Sequence, residues 1–215
     1  ILPQPGFMEG LRKICDAGNI LLIFDEVMTG FRLALGGAQE KLGIDADLVT
    51  YGKVIGGGMP VGAFGGKRHI MESVAPLGNV YQAGTLSGNP IAMIAGFTTL
   101  SVLKNEPQIL KELDEKTGLL KQGLNEVLRQ TGTPYTINHL GSMISVHFSA
   151  NAVTDFASAS AADNELFKKY FHAMLRRGIY LPPSPFESWF LNNALTQQDI
   201  DETIAATAES LKEIL

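Results

Sequence analysis

The chain has 215 residues, 45% of them hydrophobic and 8% aromatic, which is enough to bury one large core or two small ones and excludes a disordered segment. A net charge of -5, with 17 basic residues spread along the sequence, leaves no electrostatic footprint for nucleic acid or an anionic membrane. No apolar run approaches the roughly 20 residues that span a bilayer, and the single cysteine rules out an internal disulfide framework and suits a reducing compartment.

The opening Ile1-Leu2-Pro3-Gln4-Pro5-Gly6 has neither signal-peptide nor transit-peptide character. A start on a Pro/Gly turn followed by a helix–strand unit reads as a chain that begins inside an α/β domain, so an upstream segment is expected. Residues 7–16 have helical periodicity, with Phe7, Leu11, Ile14 and Cys15 on one face, which makes Cys15 a core residue rather than a reactive thiol. Gly18 can close that helix. Ile20-Leu21-Leu22-Ile23-Phe24 is continuously apolar, as buried parallel strands are.

Asp25-Glu26 follow at the carboxyl end of this strand, the edge at which open α/β sheets bind ligands. The alternative reading of these acids is a helix cap at the strand end. A second short strand, Asp47-Leu48-Val49-Thr50-Tyr51, runs into Gly52-Lys53, then Val54-Ile55 and Gly56-Gly57-Gly58-Met59-Pro60. Lys53 has apolar and glycine neighbours and no adjacent carboxylate, and burial there would favour the neutral, nucleophilic amine. An exposed lysine beside a flexible turn is the alternative. An acid and a lysine, each ending its own strand, are what a pyridoxal-phosphate site requires: an amine to hold the aldehyde, and a carboxylate to keep the ring nitrogen protonated.

Tyr81-Gln82-Ala83-Gly84-Thr85-Leu86-Ser87-Gly88-Asn89-Pro90 offers hydroxyls and backbone N–H groups to an anion such as phosphate, and equally reads as an ordinary helix entry. Asn89 is suited to cap the helix and Pro90 to open it. That helix continues through Ala92, Ala95, Gly96 and Leu100 and is expected to be largely buried. Asn105-Glu106-Pro107 marks a change of character, giving domains of residues 1–104 and 105–215. Beyond it an amphipathic helix carries Leu110, Leu113, Thr117, Leu120, Leu124 and Val127 on one stripe. Residues 143–148 read as a strand, residues 151–163 as a surface excursion, 164–177 as a helix and 178–181 as a strand. Thr196-Gln197-Gln198-Asp199 resembles a capping box ahead of a terminal helix with Ile200, Ile204, Ala208, Leu211 and Leu215 on one side. His69, His139, His147 and His172 lack metal-ligand spacing, so no metal site is expected. Gly-x-Ser-x-Gly and Walker motifs are absent.

Leu22 to Arg32 (Leu-Ile-Phe-Asp-Glu-Val-Met-Thr-Gly-Phe-Arg) and Tyr51 to Gly58 (Tyr-Gly-Lys-Val-Ile-Gly-Gly-Gly) resemble the class III branch of the fold-type I aminotransferases. Within that branch, Leu2-Pro3-Gln4-Pro5-Gly6-Phe7, Gly36-Gly37-Ala38-Gln39, the segment from Tyr81 to Pro90, and Pro183-Ser184-Pro185-Phe186-Glu187 are similar to the glutamate-1-semialdehyde 2,1-aminomutases. The resemblance implies an α/β fold, comprising part of the fold-type I large domain followed by a small α/β C-terminal domain. It implies pyridoxal 5'-phosphate and pyridoxamine 5'-phosphate as cofactor, with Lys53 as Schiff-base lysine and proton shuttle, Asp25 as ring-nitrogen partner and Val27 packing on the ring. It further implies a homodimer in which Thr85 reaches the phosphate of the neighbouring subunit, with Tyr81 near the active site and Glu187 facing the substrate end of the pocket. The implied reaction is isomerisation of glutamate-1-semialdehyde to 5-aminolevulinate, on the way to tetrapyrroles, in the cytoplasm or, in a plant, the plastid stroma. Another class III aminotransferase or racemase, or a catalytically incomplete fragment, is the alternative. In family members the upstream half supplies the other phosphate loop, the stacking aromatic and the substrate gate, and none of these can be located in this sequence. One departure is Leu191-Asn192-Asn193-Ala194-Leu195-Thr196, where relatives commonly carry a histidine just before the threonine.

Overall fold

The computed structural model describes residues 1–215. Residues 1–3 aside, they form two compact units, Gln4–Pro107 and Gln108–Leu215, so the division falls at Pro107 rather than after Lys104.

The first unit opens with α1 (Phe7–Gly18), which is closed by Asn19 in the left-handed conformation at φ 52 rather than by Gly18. The amides of Asn19 and Ile20 donate back to the carbonyls of Asp16 and Cys15 (3.3 and 2.8 Å), which satisfies the end of the helix. Only Cys15 of the expected inner face is buried; Phe7 and Ile14, on its flank, are exposed. Strand β1 (Ile23–Asp25) follows, then α2 (Gly37–Leu42), β2 (Leu48–Gly52), a 3-10 turn over Lys53–Gly56, β3 (Gly62–Gly66), α3 (Arg68–Met71) and α4 (Pro90–Asn105).

The sheet order is β1-β2-β3, with β1 and β2 parallel and β3 antiparallel to β2. The apolar run at residues 20–24 is therefore an edge rather than a fully buried strand: Phe24 packs inward while Ile20, Leu21 and Ile23 are exposed. Helix α4 likewise departs from expectation. Ala92, Gly96 and Leu103 are buried, but Ile91, Met93, Ile94, Phe97 and Val102 face outward. Its capping is as the sequence suggests, with Asn89 Oδ1 accepting from the amides of Ile91 and Ala92 (3.1 and 3.2 Å) and Pro90 in the first turn.

At the amino-terminal end of β2, Asp47 is buried and accepts from Arg12 (2.9 Å), Lys67 and the amide of Leu22 (2.7 Å), tying α1, β1 and the segment after β3 together. The Leu22 amide, Lys67 and Arg12 hold its carboxyl well below the usual carboxylate range. A depressed pKa stabilises the fold fully above the unfolded value near pH 4 and loses that contribution as pH falls through the folded value. Thermal midpoints of wild type and Asp47→Asn, measured from about pH 6 down to about pH 2, should converge on the acid side of about pH 4. A gap that stays constant would show that Asp47 adds no such dependence.

The second unit consists of α5 (Gln108–Thr131), β4 (Thr136–Leu140), β5 (Met143–His147), α6 (Phe156–Ser160), α7 (Asn164–Arg176), β6 (Trp189–Phe190) and α8 (Gln197–Ile214). Its antiparallel sheet runs β4-β5-β6 and packs under the helices. The core gathers Leu113, Leu120, Leu124 and Leu128 of α5 with Ile144, Phe167, Met174 and Leu211, each buried leucine contributing about 2 kcal/mol by removal from water. Tyr170 is fully enclosed there, its hydroxyl paired with Thr207 Oγ1 at 2.8 Å, and burial pushes its phenol up. Burial also pushes the His147 imidazole down.

Two expectations fail in this unit. Residues 178–181 make no strand, because Gly178 and Ile179 donate to Leu175 and Met174 and so finish α7 instead. Residues 151–163 are not a bare surface excursion: α6 lies within them, opened by a reciprocal cap between Asp155 and Ser158, with Val153 and Ala159 buried. At α8 the expected box forms, Thr196 and Asp199 exchanging side-chain and backbone bonds (2.6–3.2 Å).

Candidate active site

Parallel pairing sets the site. Ile23, Phe24 and Asp25 lie beside Leu48, Val49 and Thr50, so β2 runs on past the last residue of β1 and delivers Lys53 three positions beyond the level of Asp25. At about 3.3 Å per strand residue that offset is on the order of 10 Å. A carboxylate and an amine are thus presented from neighbouring strand ends, at the same edge of the sheet.

The carboxylate is held. Asp25 Oδ1 accepts from the amide of Val27 at 3.0 Å and from Thr50 Oγ1 at 3.3 Å, while Oδ2 makes no hydrogen bond within the chain. Both Asp25 and Lys53 are exposed, so the burial expected of Lys53 is not found within this fold. Strand β2 ends at Gly52 and nothing in the chain closes over the lysine that follows. Val27 packs near enough to Gly52 that a β-carbon there would meet its Cγ1 at 3.2 Å.

Lys53 has φ 50, a left-handed backbone that is uncommon for a residue with a side chain. It persists because the turn after it is pinned to α4. Gly57 and Gly96 approach so closely that a β-carbon on Gly57 would strike the carbonyl of Ala95 and one on Gly96 that of Ile55. The amine makes no ion pair, whereas Lys67 is committed to Asp47 at the other end of β2.

The dipeptide Asp25-Glu26 divides its labour. Glu26 is fully buried and accepts from the Thr29 hydroxyl and from the amides of Ala38 and Gln39 (both 2.9 Å), capping α2 across the intervening loop. Burial, with Glu26 adding, pushes the nearby Tyr51 phenol up. The helix-cap reading of this acid pair therefore describes Glu26, while Asp25 stays at the strand edge.

Tyr81 and Thr85 lie on the loop before α4. Both are exposed and neither is bonded to Asp25 or Lys53. Beside that loop, Phe31, Tyr51, Phe64, Leu86 and Phe97 line an open apolar cavity of about 860 Å³ that includes neither catalytic candidate. Glu187 belongs to the second unit, exposed in the turn ahead of β6, its amide bonded to the carbonyl of Ser184 at 3.1 Å. The residue that sequence reasoning missed is Thr50; aligning the ends of the two strands in parallel register is the signal that would have found it.

The aminotransferase class-III family pattern matches residues 1–215. The chain belongs to the class-III aminotransferases. It is 59% identical over 206 residues to the glutamate-1-semialdehyde 2,1-aminomutase of Flavobacterium johnsoniae, a match that covers 96% of this chain and 48% of that protein. The chain spans about half the length of the curated relatives it matches. Among solved structures, an omega-transaminase from Sphaerobacter thermophilus superposes with a TM-score of 0.86 at 31% identity, over 98% of this chain and 48% of its own. A glutamate-1-semialdehyde aminomutase from Pseudomonas aeruginosa, solved in complex with PMP, has a TM-score of 0.88 at 22% identity, over 100% and 49%, which speaks for the class III fold alone.

Proposed function

We propose that this chain supplies the lysine-bearing half of a pyridoxal-phosphate-dependent glutamate-1-semialdehyde 2,1-aminomutase. The observation that carries the reading is the pairing of Asp25 and Lys53 at adjacent parallel strand ends, with one oxygen of Asp25 already engaged and the Lys53 amine free of acids. The residues fit the cofactor chemically. Its ring nitrogen and its reactive carbon lie on opposite sides of a flat ring, and a group of that shape needs an acid at one side and an amine at the other. The exposure of both residues leaves room for it.

When bound, the cofactor supplies an electron sink and a carrier for nitrogen. Asp25 holds a proton on the ring nitrogen by its negative charge. The Lys53 Nζ would take up and return a proton at the substrate carbon as general acid and base. Val27 packs against the ring face. Thr85 donates to the phosphate held by a neighbouring subunit, and Tyr81 lines the substrate end. The product, 5-aminolevulinate, has the same atoms as the substrate, so no external amino acceptor is consumed. A homodimer and a cytoplasmic location belong to the same proposal.

The test is an assay of the complete protein with glutamate-1-semialdehyde and no keto acid, together with its light-scattering mass. Isomerisation without acceptor, by a dimer, is expected. Turnover that appears only when a keto acid is added would make the protein an ordinary transaminase. Residues 1–215 alone should give little or no 5-aminolevulinate, since each hydrogen bond to a charged phosphate contributes only about 1.5–3 kcal/mol and several must act together.

A further inference from the structure

Thr50 has a task that its position in a strand does not by itself require. It lies directly beside Asp25 in the parallel register of β1 and β2, and its hydroxyl donates to Asp25 Oδ1 at 3.3 Å, on the same oxygen that receives the Val27 amide at 3.0 Å. The terminal torsion of an aspartate is soft and two-fold, so a single donor leaves the plane of the carboxylate loosely set. Two donors from different directions, one backbone and one side chain, fix it. The β-branch of Thr50 restricts its own first torsion, which keeps the hydroxyl aimed. Thr50 is half-buried at this seam.

We propose that Thr50 is a positioning residue, which with the Val27 amide turns the carboxylate of Asp25 so that Oδ2 is reserved for the ring nitrogen of the cofactor. The assignment rests on the cofactor site proposed above. Thr50 touches neither substrate nor cofactor and acts through Asp25. Removing its hydroxyl leaves the charge of Asp25 in place but lets the carboxylate rotate, so that the ring nitrogen holds its proton less firmly.

The experiment compares Thr50→Val, which keeps shape and β-branching but lacks the donor, with Thr50→Ser, which keeps the donor. In the cofactor-loaded protein the readouts are the pH titration of the bound cofactor's absorbance, kcat and KM. The thermal midpoint of the cofactor-free protein reports on folding. For Thr50→Val the absorbance titration should move by about half a unit or more and kcat should fall about tenfold or more. KM should stay within about twofold and the cofactor-free midpoint should be unchanged. Thr50→Ser should restore both titration and turnover. A purely structural threonine predicts instead that valine, the better strand former, behaves as wild type, and that result overturns the proposal. A serine variant as impaired as the valine one also overturns it. Reductive trapping on the same samples separates the two levels of inference. If Lys53 is labelled and Thr50→Val matches wild type, only the role of Thr50 falls; if Lys53 is unlabelled, the site and this assignment fall together.

Discussion

Borohydride reduction of the cofactor-loaded protein is expected to fix a pyridoxyl group on the peptide containing Lys53, and Lys53→Ala is expected to remove both the label and measurable turnover. The loss follows from geometry as much as from residue type. The lysine is delivered by β2 beyond the level of Asp25, has no carboxylate on its amine, and sits on a turn held against α4. Lys67 is the instructive contrast, since it lies at the opposite end of the same strand pair and its amine is bonded to Asp47. Loss of proton transfer alone slows a reaction by about 10²–10⁴-fold, and loss of the covalent anchor adds to that. Peptide mapping decides the matter: a label found reproducibly on Lys67, with Lys53 unmodified, would sink the assignment.

The second large effect is expected at Asp25→Asn. Asparagine keeps an oxygen that can accept from both the Val27 amide and Thr50, so the local scaffold should survive while the negative charge is lost. Replacing an ionic partner at a reacting group is worth on the order of 10²-fold in rate. Turnover should fall by about that factor, with cofactor retention, measured by absorbance after gel filtration, affected far less. Unchanged turnover would show that Asp25 has no electrostatic role in the chemistry.

Much of this arrangement was legible in the sequence. Asp25 and Lys53 stand at the ends of apolar runs, and strand ends in an α/β pattern are where ligands bind. The cap at Asn89 and the box at Thr196 rest on local hydrogen bonds between near neighbours, which is why they could be read off directly. What could not be read depends on partners distant in sequence. Strand β3 is Gly-Ala-Phe-Gly-Gly, with little intrinsic strand preference, and exists because its backbone pairs with β2 along its whole length. Residues 178–181 carry strand-forming side chains but form no strand, and the end of α7 claims the amides of Gly178 and Ile179. Periodicity put Phe7 and Ile14 on the inner face of α1 and led to a largely buried α4, and both expectations fail because an apolar side chain is buried only where another element lies on it. The link between Thr50 and Asp25 needed the register, a quantity that neither strand states alone.

The division of labour within Asp25-Glu26 makes the two acids an ordered pair, although they carry the same charge. The shorter side chain stops at the strand edge, where the Val27 amide and Thr50 can reach it. The longer one turns inward and extends by one more methylene to the amides of Ala38 and Gln39. Exchanging them would leave composition, charge and hydropathy untouched. Yet glutamate at 25 would overshoot the pair of donors that aims Asp25, and aspartate at 26 would fall short of the helix it caps. Composition is blind to this order, and here a single methylene separates an acid held at the strand edge from one that caps a helix.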